Sequence, residues 1–274
     1  MAAPAQDGVS KARDSKGRAV KERAAKERTG KERLDKLLLE RGLAPSRERA
    51  QALIMAGQVR VNGAPADKPG MRVSRDAEMS VAGPDHPYVS RGGVKLEAAL
   101  RHFALDVRGL NCLDIGASTG GFTHCLLMNG AARVVAVDVG YGQLAWEVRG
   151  DPRVVVMERT NIRALPASAL EGPVDLVVVD VSFIALSTVL REAVRFLKPG
   201  GALVGLVKPQ FEAGREHVRR GGRVTDDAVH QEVLRRVEAA GAEAGLRLEG
   251  HLPSPIAGKK SGNVEYLALW RRVP

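Results

Sequence analysis

The sequence of 274 residues contains only two cysteines, Cys112 and Cys125, and no long apolar run. Two cysteines cannot build a disulfide framework, and their separation does not match the ligand spacing of a metal site. We expect both to be buried thiols in a reducing compartment, with no metal bound. No apolar run reaches the roughly 18 residues of a membrane-spanning helix, and the polar N-terminus lacks the core of a secretory signal. We therefore predict a cytoplasmic protein without stable membrane association.

Basic residues are in excess, mostly in the first third of the chain. The net charge is +10. Residues 1–83 hold 18 Lys and Arg against 11 Asp and Glu, whereas residues 84–274 hold 24 against 21. This distribution favours a polyanionic partner. With 44% hydrophobic residues, the chain can bury one substantial core and has room for a second, small domain.

The segment from Lys11 to Glu32 repeats a Lys/Arg–Glu/Asp–Arg theme with almost no apolar side chains. Too little surface could be buried there to offset the entropy cost of ordering the chain. We predict that residues 1–32 form a basic, disordered tail. Whether this tail contributes to binding stays open.

Residues 33–83 are predicted to form a small α+β domain. Leu34 and Leu38 share one face of a helix, and Ser46 can cap a second helix. Two valines that alternate with polar residues then lead to Asn62-Gly63, a strong hairpin signal. The prediction is two short helices packed on a hairpin.

Basic residues decorate this domain and would suit contacts to nucleic-acid phosphates. An ordinary basic surface, which also keeps a protein soluble, is the alternative. The pattern R-L-D-x-L-L, then S-R-x-x-A, then I-x-x-G-x-V-x-V-N-G resembles the S4 RNA-binding domain over nearly its whole length. The predicted RNA-binding residues of this domain are Arg33, Lys36, Arg47, Arg49 and Arg60.

A linker at residues 84–89 precedes a region in which apolar runs alternate with helical stretches. Because the runs are continuous, the strands should be buried on both faces. We predict that residues 90–274 form an α/β domain with a largely parallel sheet covered by helices. The runs are residues 112–116, 134–139, 154–158, 174–180 and 202–208, and residues 264–272 should add an edge strand.

The stretch CLDIGASTGGFTHC, residues 112–125, passes from a strand through a glycine-rich turn into a helix. Its spacing does not match the G-x-G-x-x-G of a dinucleotide site, and Phe122 stands where a P-loop requires lysine. Asp114 lies two positions before Gly116, where a carboxylate would repel phosphate but attract an ammonium or sulfonium group. The turn therefore predicts S-adenosylmethionine as its ligand.

Polar residues follow the apolar runs, at the sheet edge where ligands of open α/β folds bind. Asp138 follows the second run and can accept both hydroxyls of an adenosine ribose. Asn161 could border the adenine, although an Asn in a loop also commonly forms a turn. The predicted cofactor-binding residues are Asp114, Gly116, Ser118, Gly120, Gly121, Phe122, Asp138, Asn161 and Asp180.

Two lysines occupy well-defined places in the predicted fold. Lys95 follows SRGGV at the start of a helix, and Lys208 ends the fifth run. Ammonium groups in one cleft repel each other and desolvation favours the neutral amine, so one of them could accept a proton. Asp180 or Glu265 would keep the other charged and oriented. Surface salt bridges are the alternative, and which lysine is the base stays open.

The run SRGGVKL, the LDIGASTGGFT turn, Asp180, Lys208 and Glu265 together resemble the FtsJ-type ribose methyltransferases. This resemblance implies a Rossmann-like fold that uses S-adenosylmethionine. Thr119 stands where that family often has proline, which affects rigidity more than chemistry. Carried over, the family's K-D-K-E catalytic tetrad is Lys95, Asp180, Lys208 and Glu265.

With an S4 domain in front, the chain from Arg33 onwards resembles the TlyA family, some members of which carry the label haemolysin. The resemblance implies 2′-O-methylation of cytidine in the RNA of one or both ribosomal subunits, with RNA contact by Arg91. It implies neither a DNA substrate nor an obligate protein partner.

Three alternative functions remain open. A haemolysin needs a segment that enters a membrane, and a non-catalytic ribosome-assembly factor would need the S4 domain but not the tetrad. Base methylases that act at exocyclic nitrogens commonly have an N/D-P-P-Y pattern after the fourth strand. This chain reads Asp180-Val181-Ser182-Phe183 there and so lacks that pattern.

Overall fold

The computed structural model describes residues 30–44, 46–55, 57–81, 86–258 and 262–274. The predicted tail up to residue 29 and the linker residues 84 and 85 lie outside the described residues. The chain divides into two compact units, one ending at Asp85 and one spanning His86–Pro274.

The small unit contains the two helices and the hairpin predicted from the sequence. The hairpin pairs Val61 with Ala64 across Asn62-Gly63, and the backbone N–H of Arg49 donates to Ser46 Oγ at 3.1 Å, which caps the second helix. Leucines of the first helix and Ile54 of the second are buried against the strands. The elements are β1 (Lys31–Arg33), α1 (Leu34–Glu40), α2 (Arg47–Met55), β2 (Val59–Val61), β3 (Ala64–Ala66), β4 (Arg72–Ser74) and β5 (Met79–Val81).

The small unit includes two residues that the prediction placed in the tail. Lys31 and Glu32, assigned above to the tail, form β1 with Arg33, and Lys31 pairs with Ser74 of β4. Arg75 also lies 3.3 Å from Glu32 Oε2. The partner strand is about forty residues downstream, so the composition around Lys31 does not reveal the pairing.

The large unit is built on a seven-stranded sheet of order β11-β12-β10-β9-β6-β7-β8. Strands β10, β9, β6, β7 and β8 are parallel to one another, and β11 and β12 are antiparallel to their neighbours. The strands are β6 (Asn111–Ile115), β7 (Arg133–Val137), β8 (Val154–Met157), β9 (Val174–Val179), β10 (Leu197–Val207), β11 (Leu246–Pro253) and β12 (Tyr266–Arg272).

Helices cover both faces of this sheet, so side chains that alternate along a strand enter two separate cores. Leu113 and Val177 pack in one core with Trp270, whereas Cys112 and Leu176 pack in the other with Phe122. This confirms the helix-covered, largely parallel sheet predicted from the continuous apolar runs. The helices are α3 (Gly92–His102), α4 (Gly121–Met128), α5 (Trp146–Arg149), α6 (Leu186–Ala193), α7 (Pro209–Glu212) and α8 (Asp227–Glu243).

The prediction of an edge strand at residues 264–272 is wrong in one respect. Strand β12 lies second from the edge, between β10 and β11, and the edge strand is β11, which the sequence reading missed. Strand β11 has charged and polar residues at alternate positions and an irregular register at Gly250, so it lacks an apolar run. Its pairing with β12 leaves β12 largely buried.

Both cysteines are buried free thiols, as predicted, and burial raises the pKa of each to about 12. Within the described residues, no helix combines the length and the apolar character needed to cross a membrane.

Candidate active site

The turn between β6 and α4 is packed too closely for side chains at its key glycines. Gly116 has φ +87°, and a Cβ there would lie 2.6 Å from the carbonyl oxygen of Asp180. Gly120 has φ +94°, and its Cβ would lie 2.8 Å from Leu144 Cδ1. A Cβ on Gly121 would collide with Ser90 Oγ. The glycines therefore let the turn contact the end of β9 and the SRGG segment.

Asp114, at the end of β6, is fully buried and carries one unpaired carboxylate oxygen. Thr123 Oγ1 donates to Asp114 Oδ2 at 2.6 Å, while Oδ1 has no hydrogen-bond partner among the described residues. Burial raises the pKa of Asp114 to about 7, and the nearby Asp180 and Asp138 carboxylates add to the rise. A buried, unpaired acceptor fits an ammonium group that approaches directly or through water. The residues present thus fit S-adenosylmethionine.

Asp138 follows β7 and organises the loops around the same edge of the sheet. Its Oδ2 accepts from the backbone N–H of Ser118 at 2.7 Å, and its Oδ1 accepts from that of Gly140 at 2.6 Å. Each carboxylate oxygen retains a second lone pair, so both can still accept from ribose hydroxyls. Ser118 itself has φ +47°, and its hydroxyl contacts Gln143.

Two of the predicted cofactor residues lie in settings that limit their role. The side chain of Phe122 is only 2% exposed and packs in the core under α4, which leaves only its backbone for a ligand. Asn161 is exposed, and its Oδ1 accepts from the backbone N–H of Arg163 at 3.0 Å. This local hydrogen bond closes a turn, which is the alternative role predicted for Asn161.

The four tetrad residues form two ion pairs, each with one buried and one partly buried member. Lys95 Nζ lies 2.5 Å from Glu265 Oε2, and Lys208 Nζ lies 2.6 Å from Asp180 Oδ1. Lys208 is 8% exposed and Glu265 is 3% exposed, so neither pair is a solvated surface bridge. The alternative of surface salt bridges therefore does not hold.

Strand register brings these pairs to one end of the sheet, beside the glycine turn. Val207 pairs with Tyr266, which places Lys208 across from Glu265 on neighbouring strands. Asp180 directly follows β9, the other neighbour of β10, and its carbonyl is the group that Gly116 approaches. The glycine turn and the tetrad thus lie at the same end of the sheet.

The loop after β9 contains residues of the site that the sequence did not reveal, namely Val181, Ser182 and Phe183. Lys208 Nζ donates to Val181 O at 2.8 Å and to Ser182 Oγ at 2.9 Å. Asp180 adds the ion-pair contact at 2.6 Å, so three oxygens surround this ammonium group. Phe183 follows in a left-handed conformation, with φ +67°, and is 85% exposed. A bulky residue in this conformation is strained, and such strain concentrates at functional sites.

The basic residues predicted for the small unit are organised by a buried carboxylate that the sequence reading did not single out. Asp35 has no exposed surface and accepts from Arg33 at 3.0 and 2.9 Å, from Arg47 at 3.1 Å and from Gln51 at 2.9 Å. These donors, Arg33 above all, hold the pKa of Asp35 well below its usual range. Both guanidinium groups remain about half exposed and so accessible to phosphate.

The remaining predicted RNA contacts are less uniform. Lys36 pairs with Glu32 at 3.0 Å, and Arg60 donates to the carbonyl of Gly63 at 3.0 Å. Arg49 has no ion pair within the described part of the chain. In the large unit, Arg91 is exposed and donates to the carbonyl of Ala257 at 2.9 Å.

Comparison with known proteins identifies both units. Residues 88–272 match the FtsJ-like methyltransferase family, and residues 32–78 match the S4 domain. The chain is 51% identical to the 16S/23S rRNA (cytidine-2′-O)-methyltransferase TlyA of Mycobacterium tuberculosis, over 86% of this chain and 87% of that protein. The chain belongs to the TlyA family of methyltransferases. The sequence-based resemblance and fold class are confirmed, and methyltransferase membership implies the use of S-adenosylmethionine.

Other TlyA-family relatives carry a different name. Hemolysin A of Brachyspira hyodysenteriae is 40% identical over 83% of this chain and 94% of that protein. A solved structure from Streptococcus thermophilus, provisionally named a hemolysin, has a TM-score of 0.70 and 44% identity, covering 89% of this chain and 90% of that one. The same family fold thus occurs under both names.

We expect S-adenosylmethionine to bind more weakly as pH falls below about 7. An ammonium group favours the ionised form of Asp114, so binding below its pKa must release a proton. Affinity should therefore rise with pH up to about 7 and level off above it. Titration calorimetry at pH 6 and 8, in buffers of different ionisation enthalpy, measures both affinity and proton release.

The Asp114→Asn variant should bind roughly tenfold more weakly at pH 8, because it loses a charge-assisted hydrogen bond. It should also lose the pH dependence. The control is Asp106→Asn, an exposed carboxylate paired with Arg108. A pH dependence that persists in Asp114→Asn would refute the assignment.

Replacing Asp35 with Asn should destabilise the small unit by about 1–3 kcal/mol, because hydrogen bonds from two arginines to a carboxylate weaken. Since the folded pKa of Asp35 is depressed, its contribution is present above pH 4 and is lost as pH falls further. Hydrogen exchange of residues 30–81 at pH 7 measures the change. Asp67→Asn, at an exposed carboxylate of the same unit, should leave exchange unaltered; equal exchange in both variants would contradict the prediction.

Proposed function

We propose that this protein methylates the 2′-hydroxyl of a cytidine in ribosomal RNA, with S-adenosylmethionine as methyl donor. The observation that carries the proposal is the pair of buried lysine–carboxylate contacts beside the glycine turn. The substrate named for the Mycobacterium tuberculosis relative supports the choice of RNA and nucleoside.

Asp114, Asp138 and the backbone of the glycine turn would hold the cofactor. Asp114 offers its unpaired oxygen to the ammonium, and Asp138 offers both oxygens to the ribose hydroxyls. Bound S-adenosylmethionine would supply an electrophilic methyl group. The close contact of Gly116 with Asp180 keeps this cofactor site next to the tetrad.

Lys208 would take up the proton of the ribose hydroxyl. Its ammonium can pass a proton to Asp180, 2.6 Å away, and accept the hydroxyl proton in exchange. Val181 O and Ser182 Oγ fix the position of Nζ during this exchange. Lys95, held by Glu265, supplies a second oriented cation for the hydroxyl oxygen. Much of the acceleration should come from holding oxygen and methyl in line.

Phe183 offers a stacking surface for the base of the target nucleotide. The ring is exposed, directly follows the serine that holds Lys208, and is supported by Phe211 at a centroid distance of 5.6 Å. A nucleotide turned out of its RNA stack needs such a surface, because unstacked bases bind to aromatic side chains. The S4 unit would add affinity through phosphate contacts.

The test is transfer of labelled methyl from S-adenosylmethionine to separate 30S and 50S ribosomal subunits that lack the modification. Nucleoside analysis then locates the label. We expect 2′-O-methylcytidine, and we expect Lys208→Ala to lower the rate at least about a hundredfold, because proton transfer and positioning are lost.

Lys198→Ala is the matched control, because Lys198 forms a similar 2.6 Å pair with Asp175 at the opposite end of the same strands. Label on a base would favour base methylation, and binding of subunits without transfer would favour an assembly factor. Dye release from liposomes without RNA would favour a membrane-active protein. Equal rates in both lysine variants would exclude the proposed role of Lys208.

A further inference from the structure

Four arginines after α7 differ from most arginines of the large unit in having no partner. Within the described residues, their side chains form no ion pair and no hydrogen bond, and all four are exposed. Elsewhere in this unit, Arg101, Arg149 and Arg191 each contact a carboxylate. The four are Arg215, Arg219, Arg220 and Arg223.

Three of these arginines are held together in a tight turn, residues 219–223, which we name the arginine turn. The backbone N–H of Arg219 donates to the carbonyl of Arg223 at 2.8 Å, and that of Gly222 donates to Arg219 O at 2.9 Å. Gly221 and Gly222 have φ of +84° and +77°, values that glycine adopts easily. An anion bound between these like charges would be attracted to all of them.

A buried asparagine fixes the arginine turn to the segment that precedes β12 and contains Glu265. Asn263 is 2% exposed; its Oδ1 accepts from the backbone N–H of Val224 at 3.1 Å, and its Nδ2 donates to Gly222 O at 2.8 Å. Asn263 lies two residues before Glu265. The arginine turn is therefore attached to the chain two residues before Glu265, which pairs with Lys95 in the tetrad.

A buried histidine provides a second anchor. His230 contacts Val224 O through Nε2 at 3.1 Å and the hydroxyl of Tyr266 through Nδ1 at 2.8 Å. Tyr266 immediately follows Glu265, so both anchors tie the turn to the residues on either side of that glutamate. The fixed backbone determines where each arginine side chain starts, and their exposed, unpaired guanidinium groups leave all their donors available to an anion.

We propose that the arginine turn binds backbone phosphates of the RNA substrate next to the tetrad, with Asn263 as its positioning residue. Guanidinium groups match phosphate geometry in bidentate fashion, and phosphate contacts fix the register of a nucleic acid on its protein. The inference rests on the proposed function. It adds a contact that places the target ribose from the large unit itself, independently of the S4 unit.

The test compares two variants of the full-length protein that each remove two positive charges. Arg220→Gln/Arg223→Gln alters the arginine turn. Arg247→Gln/Arg271→Gln alters two arginines that contact Glu249, at the end of the β11–β12 pair remote from Glu265. Equilibrium binding to unmodified 30S and 50S subunits is measured from 50 to 300 mM KCl, and S-adenosylmethionine binding serves as the check on folding.

We expect the arginine-turn variant to bind subunits roughly tenfold more weakly, with a salt slope lower by about 2 because two phosphate contacts are lost. The control should keep the wild-type slope. Equal losses in the two variants would overturn the proposal. The proposal would also be overturned if the wild type and the control bound phosphatidylglycerol vesicles and the arginine-turn variant did not, because the bound anion would then be a lipid.

Asn263→Asp tests the positioning role, because a carboxylate can accept from Val224 N–H but cannot donate to Gly222 O. We expect weaker subunit binding, and little further loss when Asn263→Asp is combined with the arginine-turn variant. Fully additive losses would overturn this role. Binding is measured without turnover, so an absence of methyl transfer would defeat the proposed function and still leave the arginine turn to be decided by these measurements.

Discussion

The contact between Gly116 and the carbonyl of Asp180 is the constraint on which the site depends. A single added Cβ would lie 2.6 Å from that oxygen, so the glycine turn can meet the end of β9 only without a side chain there. The same residue, Asp180, carries the carboxylate that pairs with Lys208. One backbone approach therefore joins the glycine turn to the Asp180–Lys208 pair.

The neighbouring strands extend this arrangement without needing further loops. Parallel β6, β9 and β10 end at the same edge, and antiparallel β12 begins there, so one end of the sheet collects Asp114, Asp180, Lys208 and Glu265. Asp180, Lys208 and Glu265 each lie in an ion pair, and the exception is one oxygen of the fully buried Asp114, which has no partner among the described residues. That exception marks where a cationic ligand fits, because an unpaired buried acceptor is otherwise costly.

Charge is organised differently on the two units. In the small unit, Asp35 draws two arginines into fixed positions, while their guanidinium groups stay half exposed. In the large unit, no carboxylate among the described residues pairs with the arginine turn. Its backbone is held instead by hydrogen bonds to the side chains of Asn263 and His230. Ion pairing thus restrains the arginine side chains of the small unit, whereas in the arginine turn only the backbone is fixed and the side chains stay free to reach a phosphate.

By itself, the sequence determined the types of most elements and the position of the glycine turn, because periodicity, turn residues and motifs are encoded within a few neighbouring positions. Phe122 shows the limit of that reading, since only packing revealed that its side chain faces the core. The tertiary structure alone decided the place of β12 inside the sheet, the pairing of Lys31 with Ser74, and which carboxylate pairs with which lysine. The reason is distance along the chain: Lys95 meets Glu265 across 170 residues, and only strand register and helix packing can bring such groups together.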